Sequence, residues 1–366
     1  QLDYLERTNR IHAKLLEIKV KDIDLEKENK LNETAAVRCA LLCIETRSDC
    51  CTRVHINDIL RLAGTRVELG VQSLSDEVLT KVKRGHGNAE NVLATAMLKD
   101  AYLKVGYHMM LGLPGSTAEQ DVGMMKTLFT DEQYQPDALK IYPCMVFKGT
   151  ELYEEWKKGQ FQPIDAHEAA RRIVEIKQSI PPYCRVMRVQ RDIPTTLVDA
   201  GVETTNLRQV IQEMMKKRGV RCRCIRCREP RDAVVDWDCV KLQRFDYDAS
   251  GGREIFLSYD EVNHDYLLGF ARLRIPGDHV YRPEIQGATA GIREIHVYGR
   301  AVPIGSEERE VQHRGLGVHL MEEAEKIARE EFDRTKMVVI AGVGVKEWFR
   351  KKLGYVDDGV YVSKHL

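Results

Sequence analysis

Apolar segments of strand length alternate with helical segments between residues 38 and 180, and this alternation constrains the fold more than any other feature. The pattern predicts strands at 39–46, 66–73, 107–115 and 139–143. It predicts helices between and after them at 56–63, 88–105 and 166–179. Strands that alternate with helices build parallel β/α units. We therefore predict an α/β fold whose first part is a parallel β/α arrangement.

A second pattern, near the carboxyl end, is a glycine-containing turn that opens a helix. Gly315 and Gly317 stand at the start of a helical period of apolar residues: Leu316, Leu320, Ala324, Ile327 and Ala328. Without side chains at the two glycines, the first backbone N–H groups of the helix stay uncovered, and the helix dipole favours a negative charge there. A strand is predicted on each side, at 292–298 and 337–341, followed by a short helix at 345–352 and a last strand through 360–362. The alternatives are a phosphate-binding site and a plain helix start.

Length and composition narrow the class of protein. At 366 residues the chain is long enough for two domains. Lysine plus arginine equals aspartate plus glutamate at 56 each, so no overall field attracts nucleic acid, and any such signal must be local. No apolar run approaches the ~20 residues of a membrane helix, and residues 1–7 are not signal-like. We expect an intracellular, cytoplasmic protein with no membrane partner.

Three cysteines lie close together in a strongly basic segment. Cys222, Cys224 and Cys227 have the spacing of a metal clip, and structural zinc takes four sulfur or nitrogen ligands. Cys144 is the first candidate for the fourth ligand, with Cys184 and Cys239 behind it. A zinc ion here would pin the linker between two domains, which is a structural role. The alternative is three unbound surface thiols.

The arginines and lysines around this clip suggest nucleic-acid binding. Eight of the sixteen residues 216–231 are cationic and one is acidic, and the series continues at Arg185, Arg188 and Arg191. Such a stripe can follow a phosphate backbone. Lys81, Lys83 and Arg84 are possible extensions of it. The alternative is a solvated charged face, which is the usual role of a charge run.

Residues 254–366 resemble the acetyl-CoA-binding half of the GNAT acetyltransferase family in the order strand, glycine loop, helix, strand. The resemblance implies that the loop holds the cofactor's pyrophosphate and that the preceding strand pairs with its pantetheine arm. Relatives carry a Tyr-Tyr pair where this sequence has Trp348 and Phe349, which favours packing over proton donation there. The implied acetyl-CoA contacts are Glu294, Ile295, His296, Val297, Gln312, Arg314, Gly315, Leu316, Gly317, Val318 and Phe349.

Two of these residues have further possible roles. Glu294 is a candidate general base acting through a water molecule, in thioester hydrolysis or toward an amine. His296 lies on a predicted strand, where a histidine is more often a satisfied core residue than a ligand.

The first half carries a second resemblance. Residues 68–73, with 83–86 after them, and residues 110–117 resemble the later strands of radical SAM barrels of the coproporphyrinogen-oxidase type. The carboxyl ends of barrel strands carry the functional groups, so Gln72 and Ser73 are expected to face the SAM side. By pattern alone, the Gly-Leu-Pro-Gly segment at 112–115 is only a good turn.

With residues 44–49, 188–194 and 294–299 added, the sequence from residue 25 to the end is similar to the family of Elongator catalytic subunits, in an archaeal or bacterial version. That family joins a radical SAM barrel to a GNAT domain and converts the wobble uridine of tRNA to 5-carboxymethyluridine with acetyl-CoA and SAM. The resemblance implies binding of the tRNA anticodon stem-loop and a contact of Lys30 with acetyl-CoA from the barrel side. It implies a partial barrel at 1–199, a zinc-clip linker at 200–232 and a GNAT domain at 233–366.

The sequence departs from this family at the iron–sulfur cluster. The expected Cys-x-x-x-Cys-x-x-Cys motif is imitated by Cys39 and Cys43, but position 46 is Thr, and both cysteines fall in a predicted buried strand. We interpret them as core residues and expect the first barrel strands and the 4Fe-4S ligands to be missing. Acetyl-CoA and tRNA are then expected to bind without radical chemistry.

Two other functions compete with tRNA modification. A lysine N-acetyltransferase acting on protein would use the same GNAT domain, although it would have no need of the barrel or the basic clip. A non-catalytic tRNA-binding module would keep the fold as a scaffold. The sequence leaves open whether the chain forms a homo-oligomer or joins Elongator-type partner subunits.

Overall fold

The computed structural model describes residues 4–19, 23–298 and 315–366. The described residues form a five-stranded sheet followed by a seven-stranded sheet, with helices packed against both. Gln312 and Arg314, two of the predicted cofactor contacts, lie outside the described residues.

The first sheet is entirely parallel, as the alternation of strands and helices predicts. Its strands lie in sequence order: β1 (Cys43–Thr46), β2 (Arg66–Gln72), β3 (Lys104–Leu111), β4 (Ala138–Pro143) and β5 (Arg185–Arg188). The prediction for residues 39–46 is wrong in part, because the strand begins only at Cys43. Cys39 is exposed and Cys43 is half-buried, so neither is the core residue that we expected.

Helices cover this sheet, and five of them begin at a side-chain cap. Asp165 accepts a hydrogen bond from the backbone N–H of Glu168, and Thr117 forms a reciprocal capping pair with Gln120. The part of the chain before this sheet contains two helices, whose described residues are largely exposed. The helices of this part are α1 (Tyr4–Ile18), α2 (Leu25–Thr34), α3 (Arg53–Arg61), α4 (Asp76–Lys81), α5 (Asn88–Asp100), α6 (Ala118–Thr130), α7 (Glu151–Lys157), α8 (Ala166–Lys177), α9 (Leu207–Lys217) and α10 (Ile225–Arg228).

The second sheet is antiparallel apart from one central pair of strands. In spatial order its strands are β11 (Val356–Asp358), β12 (Tyr361–His365), β10 (Lys336–Val339), β9 (Thr289–Val297), β8 (Tyr266–Ile275), β7 (Gly252–Glu261) and β6 (Val240–Ala249). The parallel pair is β9 and β10. Helix α11 (Leu316–Phe332) follows β9 and packs on β7, β8 and β9, and α12 (Lys346–Leu353) follows β10. The predicted order of strand, glycine turn, helix and strand is confirmed.

The hydrophobic cores show how closely the two sheets are joined. One face of the second sheet packs with α11 and α12 into its own core, which contains Leu257, Ile292 and Leu320. The other face contributes Phe256 and Phe270 to the core of the first sheet. Strand residues alternate between faces, so neighbouring residues of one strand serve two different cores.

Buried charges also cross the boundary between the sheets. Arg293 on β9 donates to both carboxylate oxygens of Asp137 at 2.8 and 2.6 Å, to the backbone carbonyl of Leu103 at 2.9 Å and to Glu254 at 3.1 Å. The Asp137 carboxylate in turn accepts from the backbone N–H of Val105 at 2.8 Å. These bonds fix β9 against the amino ends of β3 and β4.

Candidate functional site

The parallel pair of strands in the second sheet separates halfway along its length. Strands β9 and β10 pair from Thr289 with Lys336 as far as Ile292 with Val339. Beyond that point β9 continues to Val297 and is paired with β8 alone among the described residues. The separation leaves one backbone edge of residues 293–297 open to an extended ligand.

Beyond Ile292 and Val339 the strands β9 and β10 enclose a gap, the wedge. Helix α11, which follows it, begins at the predicted glycine turn. Gly315 has φ +75°, in the left-handed region that glycine adopts without strain, and no side chain of the described residues caps the first turn of α11. A Cβ atom at Gly317 would lie 3.6 Å from Trp348 and 3.7 Å from Val297. The first turn of α11, the helix mouth, therefore lies beside the open end of β9 and close to the ring of Trp348. The predicted residues Gly315, Leu316, Gly317 and Val318 are brought to one place with Val297.

Phe349 does not face this mouth. It is 2% exposed and packs against Trp348 and Tyr355, with ring centroids 4.9 and 5.8 Å away. A direct cofactor contact by Phe349 is therefore not supported, and a packing role is. Trp348 is the aromatic residue of this pair that lies beside the glycine turn.

The residues of β9 divide between two faces. Ile295 packs against the core beneath α11, whereas Glu294, His296 and Tyr298 line a pocket on the side of the first sheet. His296 is exposed, and its ring lies tilted against that of Tyr298 with the ring centroids 4.4 Å apart, so the interpretation as a core histidine is wrong.

Glu294 is held as a carboxylate. Arg272 donates to it at 2.9 Å and the Lys104 ammonium lies 3.8 Å away. Burial alone would raise the pKa of Glu294, but these two cations outweigh burial and lower the pKa to about 2. A group this acidic is a weak proton acceptor near neutral pH, so the structure argues against Glu294 as the general base.

Lys30 lies away from the glycine turn in the structure. Its ammonium is exposed and pairs with Glu33 at 3.5 Å and Asp357 at 3.7 Å, at the contact of α2 with the second sheet. No described contact joins Lys30 to Gly315–Val318. A role toward acetyl-CoA stays a prediction from the family resemblance.

A cavity of about 400 Å³ lies at the carboxyl ends of the parallel strands. Lys81, Met110, Cys144, Phe147 and Arg191 are among the residues that line it. Functional groups of β/α barrels lie at this end.

Gln72 and Ser73, which we expected at this end, differ in position. Gln72 ends β2 with φ +70° and keeps a buried Oε1 without a hydrogen-bond partner, whereas Ser73 is buried and bonds to Met124. Gln72 therefore fits an inward-facing role better than Ser73.

The three clip cysteines come together as predicted. The Sγ atoms of Cys222, Cys224 and Cys227 lie within 4.8 Å of one another, at the end of α9 and the start of α10. Cys144 is not in this group but lines the cavity at the strand ends, so the prediction of Cys144 as fourth ligand is wrong. The Lys177 ammonium lies 3.6 Å from the Sγ atom of Cys227.

Cys184 and Cys239 are also outside the group. Cys184 adjoins it through its backbone carbonyl, which accepts from Ile225, while burial raises the pKa of its thiol well above the usual value. Cys239 lies with Asp236 and Glu261 instead.

The basic stripe divides into an exposed and a buried part. Arg221 and Arg223 are 67% and 59% exposed and reach Asp265 only at 3.8 and 3.4 Å. Arg228 is 2% exposed and forms ion pairs with Asp260 and Asp265. Arg185 is likewise held by Glu229 and the hydroxyl of Tyr298. Arg185 and Arg228 therefore stabilise the fold and are not free for phosphate.

Sequence analysis missed the cations at the boundary of the two sheets, Arg66, Lys104 and Arg272. The available signal was the pair of arginines in the otherwise apolar strand β8, at 272 and 274. An arginine facing a core needs a carboxylate partner. The sequence did not indicate that those partners lie in the first half.

A parallel β/α sheet with functional groups at the ends of its strands defines a class of protein. Two family models identify that class. The Radical SAM superfamily model matches residues 5–128, and the Radical SAM C-terminal domain model matches residues 136–217. Among solved structures, Elp3 of Methanocaldococcus infernus with an N-terminal deletion (1–46) superposes with a TM-score of 0.89 at 47% identity. The match covers 94% of this chain and 83% of that one.

Curated relatives give the family. The tRNA uridine(34) acetyltransferase of Methanocaldococcus infernus is 48% identical over 350 residues, which are 93% of this chain and 65% of the relative. The protein of the same name from Dehalococcoides mccartyi is 42% identical, over 93% of this chain and 75% of the relative. Elongator complex protein 3 of Saccharomyces cerevisiae is 42% identical, over 94% and 63%. The chain belongs to this family of tRNA uridine(34) acetyltransferases and Elongator complex proteins 3, and it spans about 65% of the length of the relatives it matches first.

Among the residues described, no helix is both long enough and apolar enough to cross a membrane.

Proposed function

We propose that this chain takes part in the modification of the tRNA wobble uridine to 5-carboxymethyluridine, with acetyl-CoA as the source of the two-carbon group. The observation that carries the proposal is the wedge between β9 and β10 beside an uncapped helix start, in a family named for tRNA uridine(34) acetylation. Acting on tRNA, the protein would work in the cytoplasm, with or without Elongator-type partner subunits.

The proposed division into domains follows the order of the two sheets and the cysteine clip along the chain. The first sheet ends at Arg188, the cysteine clip lies at 222–227, and the second sheet begins at Val240. This order supports a radical SAM-type unit at 1–199, a linker at 200–232 and a GNAT-type unit at 233–366.

Acetyl-CoA would lie along the wedge. The uncapped N–H groups after Gly315 would bind the pyrophosphate, because a helix start combines free donors with a favourable dipole. The open edge of residues 293–297 would pair with the amide groups of the pantetheine arm, as an added strand does. The bound cofactor supplies an activated acetyl thioester, and the protein holds and orients it.

The three clip thiols would hold zinc. Their mutual distances within 4.8 Å fit Zn–S bonds of about 2.3 Å, and their position between the two sheets supports a structural role. The Lys177 ammonium lies 3.6 Å from the Cys227 Sγ, where it favours the thiolate form of the clip. The test is the metal content of the purified protein, with about one zinc per chain expected and a loss in Cys224→Ser.

The radical SAM family implies SAM and a 4Fe-4S cluster as cofactors. The described residues do not fit the cluster, because the only three-thiol group among them is the clip at 222–227. Burial and neighbouring carboxylates raise the pKa of Cys43 to about 11, which keeps that thiol protonated. We derive no step through the cluster.

Phosphates of tRNA would contact the stripe at the exposed Arg221 and Arg223 and at the half-buried Arg226. Replacing all three by Glu is expected to abolish tRNA retention in a filter-binding assay and to reduce the salt dependence of what remains. The matched control replaces three cations outside the stripe, Arg61, Lys126 and Arg329, by Glu. Equal losses of tRNA retention in both triple variants would show that the stripe is not part of the tRNA-binding site.

The central experiment measures acetyl-CoA hydrolysis with and without tRNA. Stimulation by tRNA supports the proposal, activity only with peptide amines supports the lysine N-acetyltransferase, and no turnover with intact tRNA binding supports the scaffold. Gly317→Leu should abolish acetyl-CoA binding by calorimetry, because its side chain would fill the space between Val297 and Trp348. Gly123→Leu is the control, since a side chain there meets nothing within 4 Å.

A further inference from the structure

A second pocket lies between the two sheets, on the face of β9 that carries Glu294 and His296. Its volume is about 180 Å³, and the charged residues Arg66, Lys104, Arg185, Arg272, Asp137 and Glu294 line it. The first three of these stand at the amino ends of β2, β3 and β5, opposite the end that carries the large cavity. Sites for drug-sized ligands have about 300–1,000 Å³, so this inter-sheet pocket suits a ligand of only a few atoms.

The charge of the lining favours an anion. Four lining residues are cationic and two are acidic. Asp137 is already bound on both oxygens by Arg293, and Glu294 by Arg272. Asp137 therefore has its partner outside the pocket, whereas Glu294 pairs with Arg272 within the lining. Arg185 is held by Glu229, so Arg66 and Lys104 are the remaining cations of the lining.

Among the residues that the structure describes, two guanidinium groups of the pocket keep N–H groups without hydrogen-bond acceptors. Nε and Nη2 of Arg66 are buried and unpartnered, and these two atoms form the edge with which arginine binds a carboxylate through two parallel bonds. The nearest carboxylate oxygen, on Glu68, lies 2.9 Å from Nη2 but outside hydrogen-bonding geometry. Nη1 of Arg272, a residue 1% exposed, is also unpartnered and lies 3.6 Å from Asp137.

Such groups are costly to leave unsatisfied, because burial has removed their water. The pocket also presents apolar surface from Leu41, Val105 and Phe270. A cationic edge beside apolar walls matches a carboxylate that carries a short alkyl part better than it matches phosphate.

We propose that the inter-sheet pocket binds a short carboxylate of the size of acetate, held by Nε and Nη2 of Arg66 and by Nη1 of Arg272, which have no hydrogen-bond acceptor among the described residues. The choice of acetate rests on the proposed function, in which thioester hydrolysis releases acetate and the tRNA product carries a carboxymethyl group. Both ligands present the same carboxylate, and the experiment distinguishes them.

The test measures binding of acetate to the purified chain by calorimetry and by ¹³C-acetate line broadening, with no tRNA or coenzyme A present. Arg66→Met should weaken acetate binding about 10- to 100-fold, as expected for the loss of a charge-assisted bidentate contact. Arg66→Lys keeps the charge but loses the bidentate edge, so an intermediate loss of acetate affinity is expected. This variant replaces Arg66→Met in the test if the Met variant is unstable. The control is Arg188→Met, which removes an exposed arginine at the other end of β5 and should leave acetate binding unchanged.

Two ligand arms identify the source of the carboxylate. Binding of acetate supports the proposal. Binding of the 5-carboxymethyluridine nucleoside without binding of acetate overturns it, because a pocket of about 180 Å³ suits a ligand of only a few atoms. Equal binding of phosphate and acetate, or acetate binding that Arg66→Met and Arg66→Lys leave unchanged, overturns the proposal. Acetyl-CoA binding is measured on the same samples, so a missing carboxylate site with intact acetyl-CoA binding refutes this inference and not the proposed function.

Discussion

The two sheets place their charged residues in different ways. In the parallel sheet, Glu68 bonds to His108 at 2.7 Å and to Lys140, so its charges are paired between neighbouring strands. In the seven-stranded sheet, Arg274 and Arg293 are fully buried and their partners lie partly across the boundary, in the first half of the chain. The first arrangement serves one sheet, whereas the second fastens two sheets together.

The difference shows that the two halves of the molecule are fused and not merely linked. Arg274 reaches Asp100 at the end of α5 at 2.8 Å, and the same carboxylate accepts from the backbone of Gly277 and His279. At Gly291 a Cβ atom would lie 2.2 Å from the ring of Tyr102, so the strand approaches the first half as closely as a backbone can. The wedge and the strand ends are therefore held at a fixed separation.

Arg293→Met should weaken the contact between the two sheets more than any other variant proposed below. The variant leaves the Asp137 carboxylate buried without its main partner, and we expect a loss of about 3–5 kcal/mol in the free energy of unfolding. Urea denaturation measures it. Arg253→Met is the control, because its pairs with Asp246 and Asp248 are surface pairs and should contribute at most about 1 kcal/mol. Equal losses of unfolding free energy in the two variants would contradict the conclusion that buried charges fasten the two sheets together.

Gly342→Ala tests a second contact between the halves. A Cβ atom there would lie 1.9 Å from the carbonyl oxygen of Ala40, so the segment before β1 would have to move. We expect a destabilisation of about 1–3 kcal/mol, seen as a lower Tm. Gly123→Ala, in the exposed middle of α6, meets no atom and should instead stabilise by about 0.5–1 kcal/mol.

The pH dependence of stability reports the charges around Glu294. Its pKa is lowered from 4.5 to about 2 in the folded state, so the unfolded chain binds the proton more readily between these values. The contribution of Glu294 is therefore complete above pH 4.5 and is lost as the pH falls toward 2. Urea midpoints measured from pH 2 to 6 should fall less steeply in acid for Glu294→Gln than for the wild type. Parallel curves would show that Glu294 is not held by Lys104 and Arg272.

Cys39→Ser should have the smallest effect. Because Cys39 is exposed, the change in unfolding free energy should stay within about 0.5 kcal/mol. Cys184→Ser provides the contrast, since its fully buried thiol would be replaced by a hydroxyl in an apolar core. A large loss in Cys39→Ser would restore the original interpretation of that residue as part of the core.

The sequence by itself determined the features that depend on neighbours along the chain. Alternating segments gave the parallel sheet, the period of Leu316, Leu320 and Ala324 gave α11, and the spacing of Cys222, Cys224 and Cys227 gave the thiol group. In each case the deciding contacts are local, because helix and strand periods and tight turns act over a few residues.

Only the tertiary structure decided the features that join distant segments. The ionisation of Glu294 depends on Lys104, 190 positions away in the chain, and on burial that no pattern in β9 reveals. Cys144 was excluded as a zinc ligand because β4 carries it to the opposite end of the sheet from the clip. The inter-sheet pocket exists because β8 and β9 lie against the amino ends of the parallel strands. Long-range packing sets desolvation and brings charges together, and neither quantity is written in local periodicity.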